Sequence, residues 1–216
     1  MSDEWNAVKR EARWSTRLLL LPLVVMWALQ IFNFLTGGSL VRFGVHPRTA
    51  VGLTGILFAP LLHGGFLHLI SNTVPWLIAG GLIVTSDIGE YVVVVAATWL
   101  ASGLGAWAFG AAESVHVGAS GVVFGFFGYL LIRGWLRRSI AGIAISIALA
   151  STYGLVMLLS ALPTQAGISW QSHAFGLIGG VLAAIGLARA DRRKLAAGIK
   201  APASAVGGQR GARAPR

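Results

Sequence analysis

The sequence contains no cysteine. Disulfides, thiol catalysis and thiolate metal sites are therefore excluded. Charge is scarce as well, at 11% of residues, with 7 acidic against 17 basic side chains. A soluble domain carries about 25% charged residues. Here 56% of residues are hydrophobic and the mean hydropathy is +0.74. The chain reads as an all-α membrane protein with one compact helical domain. No internal repeat is evident, which weighs against an inverted-repeat transporter.

A bilayer-spanning helix needs about 20 mostly apolar residues. Six such runs lie between the charged residues: Leu18–Leu35, Phe66–Val84, Tyr91–Phe109, Ser120–Ile132, Ile140–Leu162 and Trp170–Ala188. The fourth is short and is expected to extend at either end. Alternation of sides from a cytoplasmic N-terminus puts 15 of the 17 basic residues on the cytoplasmic side, all but Arg42 and Arg48. That asymmetry follows the positive-inside rule. Residues 1–16 are expected to form a cytoplasmic tail, 17–189 the membrane domain, and 190–216 a second, basic and disordered cytoplasmic tail. The basic tail suits anionic lipid, and no nucleic-acid partner is expected. The first apolar run has no small-residue cleavage site after it, so no cleavable signal is expected.

Polar groups in hydrocarbon are costly and are functional hypotheses by default. The fourth run opens "VHVGASGVVFG", with Ser120 at its mouth. Between Ser139 and Ala188 only His173 can titrate near neutral pH. The second run begins "LLHGGFLHLISNTVPWL", with His63, His68 and Asn72. His68 and Asn72 are four apart and share a helix face, roughly 40° apart. His63 is expected before the helix or in its first turn. Pro75 cannot donate to the Ser71 carbonyl, so that turn is expected to loosen. A structural alternative stands beside each reading: His173 as a neutral ring bonded to a backbone carbonyl, and His68 with Asn72 as helix glue.

Together these residues suit acyl transfer, which needs a nucleophile, a base and oxyanion donors. Ser120 can serve as nucleophile and His173 as base. His68, Asn72 and the Ser120 amide at a helix start can serve as donors. Asp3, Glu4, Glu11, Asp87, Glu90, Glu113 and Asp191 all read as tail or loop residues. Catalysis would then rest on a Ser–His dyad, with no carboxylate to orient the base. Gly121 with Gly125, and Gly176 with Gly180, form small-xxx-small faces that let the fourth and sixth spans press together. Gly118 and Gly121 are also expected to leave room beside Ser120 for a substrate backbone. His46 and His116 fall in outer loops and read as solvated.

These residues resemble the rhomboid family of intramembrane serine proteases, over about Leu18 to Ala188. The family's Gly-x-Ser-Gly motif appears as Gly118-Ala119-Ser120-Gly121. Its His-x4-His-x3-Asn motif appears as His63, His68 and Asn72. Its His-x2-Gly-x3-Gly motif appears as His173, Gly176 and Gly180. The resemblance implies a six-span rhomboid-like bundle in a bacterial inner membrane, with both termini cytoplasmic. It implies that Ser120 attacks the scissile carbonyl of a single-span or other membrane protein, with His173 as general base and then acid. His68, Asn72 and the Ser120 amide would bind the oxyanion. No metal or cofactor is implied, and substrate would pass between the second and fifth spans. Many members carry a Trp-Arg pair in the first outer loop; here that loop, "TGGSLVRFGVHPRTAVG", has only Arg42 and Arg48. Many carry Tyr four residues after the nucleophile; here Phe124 stands there, and its ring is expected to pack on His173.

Two other readings stand beside this one: a rhomboid-like protein that binds membrane helices without cutting, and a transporter with a histidine proton path. Metal-dependent proteolysis would need His-Glu-x-x-His, which His63 to His68 do not form.

Overall fold

The computed structural model describes residues 2–163 and 167–198. Helix α1 spans Ser2–Leu35. A 3-10 turn at Ser39–Phe43, helix α2 at Ala50–Phe58 and a second 3-10 turn at Ala59–Leu61 follow. Next come α3 (Phe66–Pro75), a π-helical turn (Trp76–Gly80), α4 (Gly81–Val84) and α5 (Ile88–Phe109). The chain continues through α6 (Ser120–Leu136), α7 (Ile140–Ser160) and α8 (Trp170–Ala196). The described residues contain no strand, only an isolated antiparallel bridge between Val45 and His116. The protein is an all-α, multi-pass membrane bundle.

Five spans are long and apolar enough to cross a bilayer: α1, the unit from α3 to α4, α5, α7 and α8. The sixth, α6, has 17 residues, about 26 Å of helix. It runs to Leu136, four residues past the expected end, because the arginine at position 133 is accommodated inside the helix. It occupies the middle of the bundle, against α5, α7 and α8. Eleven of its residues are buried, from Gly121 to Gly134. A central helix needs no lipid-facing stripe, so its shortness is tolerated.

The expected disorder of the C-terminal tail needs correction over its described part, and the N-terminal segment is helical as well. Helix α1 begins at Ser2, so the segment before Leu18 is helical. Helix α8 runs on to Ala196, while the rest of the expected tail, 199–216, lies outside the described residues. Polar side chains start several helices. Thr49, Asp87, Ser139 and Ser169 accept from the backbone N–H of Gly52, Glu90, Gly142 and Ser172, satisfying donors that a helix start leaves unpaired.

Pro75 has the expected effect. With its donor missing, the helix widens into the π turn. The turn drives Trp76 into the core, fully buried. Its indole N–H donates to the Leu19 carbonyl at 3.1 Å and its ring meets Phe126 edge-on at 5.1 Å. One proline thus ties α1 and α6 to the second span.

Glu90 is not a loop residue. It lies in the first turn of α5 and is 7% exposed. Arg133 pairs with it at 2.9 Å, Arg137 pairs with its other oxygen, and the Tyr129 hydroxyl donates to it. Arg137 also reaches Asp191 of α8, at 2.6 Å. This cluster locks α5, α6 and α8 at the end of the bundle away from Ser120. A carboxylate at the edge of an apolar run reads as solvated; here its cationic partners come from another helix and bury it. Removing the carboxylate strands the half-buried Arg133 guanidinium and leaves Arg137 with Asp191 alone. Glu90→Gln is expected to destabilise the protein by about 3 kcal/mol, checked by thermal unfolding in detergent.

Candidate active site

Ser120 is the first residue of α6. The chain reaches it through Gly118, whose φ of +117° is a conformation that glycine adopts without a Cβ penalty. The Gly118 N–H donates to the Ala59 carbonyl at 2.8 Å. The Ala119 N–H donates to His63 Nε2 at 3.4 Å. His63 is buried just before α3, and its carbonyl accepts from Asn33 Nδ2 at 3.3 Å. It braces the loop that leads to Ser120. The Ser120 N–H lies in the first turn of α6, where backbone donors have no intrahelical acceptor.

His173 lies in the first turn of α8 and is 7% exposed. Its Nε2 is 2.8 Å from Ser120 Oγ. Its Nδ1 is 2.9 Å from the carbonyl oxygen of Ser160, the last residue of α7. A carbonyl only accepts, so Nδ1 carries the proton. Nε2 is then the free acceptor, and the Ser120 hydroxyl donates to it. Phe124 stacks on the imidazole, with centroids 4.0 Å apart and planes 9° apart. The expected packing is therefore present, and the ring holds the imidazole plane.

The helices meet as their glycines suggest. A Cβ at Gly176 would lie 1.9 Å from the Gly121 carbonyl oxygen, and one at Gly180 would lie 1.9 Å from the Gly125 carbonyl oxygen. Helices α6 and α8 are therefore in backbone contact below the Ser120–His173 pair. The space beside Gly118 and Gly121 is not open, contrary to expectation. A Cβ at Gly118 would lie 2.6 Å from the His68 ring and 3.6 Å from Asn72 Nδ2; one at Gly121 would lie 2.5 Å from Ser102 Cβ. Gly118 makes room for the two polar side chains of α3, and Gly121 for α5. Asn72 is 5% exposed. Its Nδ2 has no hydrogen-bond partner among the described residues, a free donor beside the loop that leads to Ser120. The rings of His63 and His68 meet edge-on at 5.1 Å.

A family model for the rhomboid domain matches residues 50–190. The chain belongs to the rhomboid family. Among similar proteins, an uncharacterized protein of Mycobacterium tuberculosis is 35% identical over 177 residues, covering 78% of this chain and 73% of that protein. An uncharacterized protein of Mycobacterium leprae is 33% identical over 194 residues, covering 85% and 76%. A Bacillus subtilis protein named "Putative rhomboid protease YdcA" is 32% identical over 123 residues, covering 56% and 61%.

This rhomboid braces its first loop without an adjacent Trp-Arg pair. Arg48, at φ +57°, donates from Nη1 to the carbonyls of Gly110 (2.7 Å) and Ala108 (3.3 Å). Those are the unpaired carbonyls at the end of α5, where a cation is favoured. Two tryptophans of α5 reach back. Trp107 donates to the Thr49 carbonyl at 2.9 Å, and Trp99 to the Ile56 carbonyl at 2.8 Å. Sequence reasoning missed this because the partners sit far apart in the chain. Nor are the loop histidines solvated. His46 is half-buried and donates to the Arg42 carbonyl at 2.8 Å. His116 is half-buried between two serines. For His116 the signal available was Ser114 two residues before it; His46 bonds to a backbone carbonyl, which no sequence pattern marks.

Proposed function

We propose that this rhomboid is an intramembrane serine endopeptidase that cleaves transmembrane or juxtamembrane segments of other membrane proteins. The observation that carries the reading is the 2.8 Å contact between Ser120 Oγ and a His173 Nε2 left unprotonated by the Nδ1–Ser160 bond. Ser120 Oγ gives its proton to Nε2 and attacks the scissile carbonyl carbon. The oxyanion is met by the Ser120 N–H, Asn72 Nδ2 and His68. His173 returns the proton to the departing amine, which leaves as the C–N bond breaks. Water then attacks the acyl ester, with His173 as base again, and frees the carboxylic acid and Ser120. The Ser160 carbonyl does the orienting that a carboxylate does in a triad.

The basic residues at both ends of the chain favour cytoplasmic termini, which puts Ser120 toward the outer face. A bacterial inner membrane and single-span substrates belong to this reading. The test is cleavage of a labelled single-span protein in proteoliposomes. Product from wild type and none from Ser120→Ala supports the proposal. Equal product from both would overturn it. Asn72→Ala is expected to lower kcat about 10²-fold with little change in KM, measured in the same assay.

A further inference from the structure

The Ser120–His173 contact has a counterpart one helical turn away. His116 precedes Ser120 by four residues, and Ser169 precedes His173 by four. His116 Nδ1 lies 2.6 Å from Ser169 Oγ. The loop leading into α6 and the start of α8 are therefore joined twice, by two Ser–His pairs of the same sequence separation.

Ser169 is placed to transmit what His116 does. It is the N-cap of α8, and its Oγ accepts from the Ser172 N–H at 3.4 Å. Its carbonyl accepts from the His173 N–H at 3.2 Å. His116 is held on its other sides. The backbone exchanges two hydrogen bonds with Val45, at 2.9 and 3.0 Å. Nε2 lies 2.8 Å from Ser114 Oγ, whose single proton goes to the Ala111 carbonyl at 2.6 Å. Ser114 must then accept, so Nε2 carries the His116 proton and Nδ1 is left to accept from the Ser169 hydroxyl, whose other neighbour, Ser172 Oγ at 3.0 Å, donates to it in turn. Burial pushes the His116 imidazole below its ordinary pKa, in keeping with a neutral ring.

We propose that His116 is a positioning residue: by holding Ser169 it sets the register of α8 against the start of α6, and thereby the Ser120–His173 hydrogen bond. The proposal rests on the serine-protease reading above. It assigns a role outside the three sequence motifs. The test is the rate at which a fluorophosphonate labels Ser120 in proteoliposomes, a reading independent of substrate docking. His116→Phe keeps a planar ring and removes both nitrogens. His116→Asn places an acceptor near the position of Nδ1.

His116→Phe is expected to slow labelling about 10- to 100-fold, and His116→Asn to recover most of that. In a Ser169→Ala background, His116→Phe is expected to add less than about a twofold loss, because both changes break one link. Wild-type labelling by His116→Phe, or a full second loss on top of Ser169→Ala, would overturn this proposal alone. Absent labelling of wild type would remove the serine-protease reading and this proposal with it.

Discussion

Gly176→Ala and Gly180→Ala are each expected to destabilise the bundle by at least about 3 kcal/mol, beyond the usual range for a single added methyl group. The reason is what the methyl group would meet. Each new Cβ would lie 1.9 Å from a carbonyl oxygen of α6. A flexible side chain could swing aside from such a contact; a helix backbone cannot. Helices α6 and α8 would have to separate by more than an ångström. The 2.8 Å contact between Ser120 and His173 would then pass beyond hydrogen-bond reach. Gly186→Ala is the control. It lies in the same helix with nothing within 4 Å of its Cβ position, and is expected to be neutral or to stabilise by up to about 1 kcal/mol. Thermal unfolding in detergent, followed by the cleavage assay, separates the three variants.

His173→Ala is expected to lower cleavage by about 10⁴-fold or more while leaving a folded protein. No other base stands in for it, since Nε2 of this ring is the acceptor at Ser120. The structural loss is moderate. The Ser160 carbonyl loses a donor and Phe124 loses its stacking partner, together about 2 kcal/mol. Inactivity with a preserved unfolding transition distinguishes this variant from Gly176→Ala, which loses both. A rate within tenfold of wild type would remove His173 from the chemistry.

The sequence was most legible where one residue type has few uses in a membrane. Ser120, His173, His68 and Asn72 stood out because polar groups in apolar runs need a reason, and the fold gathers all four around Gly118 and the start of α6. The glycine faces were legible because spacing four has one geometric meaning on a helix. Pro75 was legible as a loosened turn, though not as the π turn that buries Trp76.

What stayed hidden depends on partners distant in the chain or on backbone atoms. The acceptor that orients His173 is the Ser160 carbonyl, and every residue has a carbonyl. For His173 the structural and functional readings are not exclusive: the ring is both bonded to a carbonyl and in contact with Ser120 Oγ. Glu90 read as a span boundary because its arginines lie on another helix. Arg48 and His116 are loop residues as expected, but their bonding stayed hidden because the carbonyl and serine partners lie at the end of α5 and the start of α8.

On the proposed mechanism one histidine, oriented by a carbonyl, activates Ser120 inside the bundle. The most direct measurement is fluorophosphonate labelling of the reconstituted protein, with the modified residue located by mass spectrometry. Label is expected on Ser120 in wild type, none in Ser120→Ala, and loss of labelling in a folded His173→Ala. Label elsewhere, or on Ser120 at the wild-type rate without His173, would contradict that mechanism.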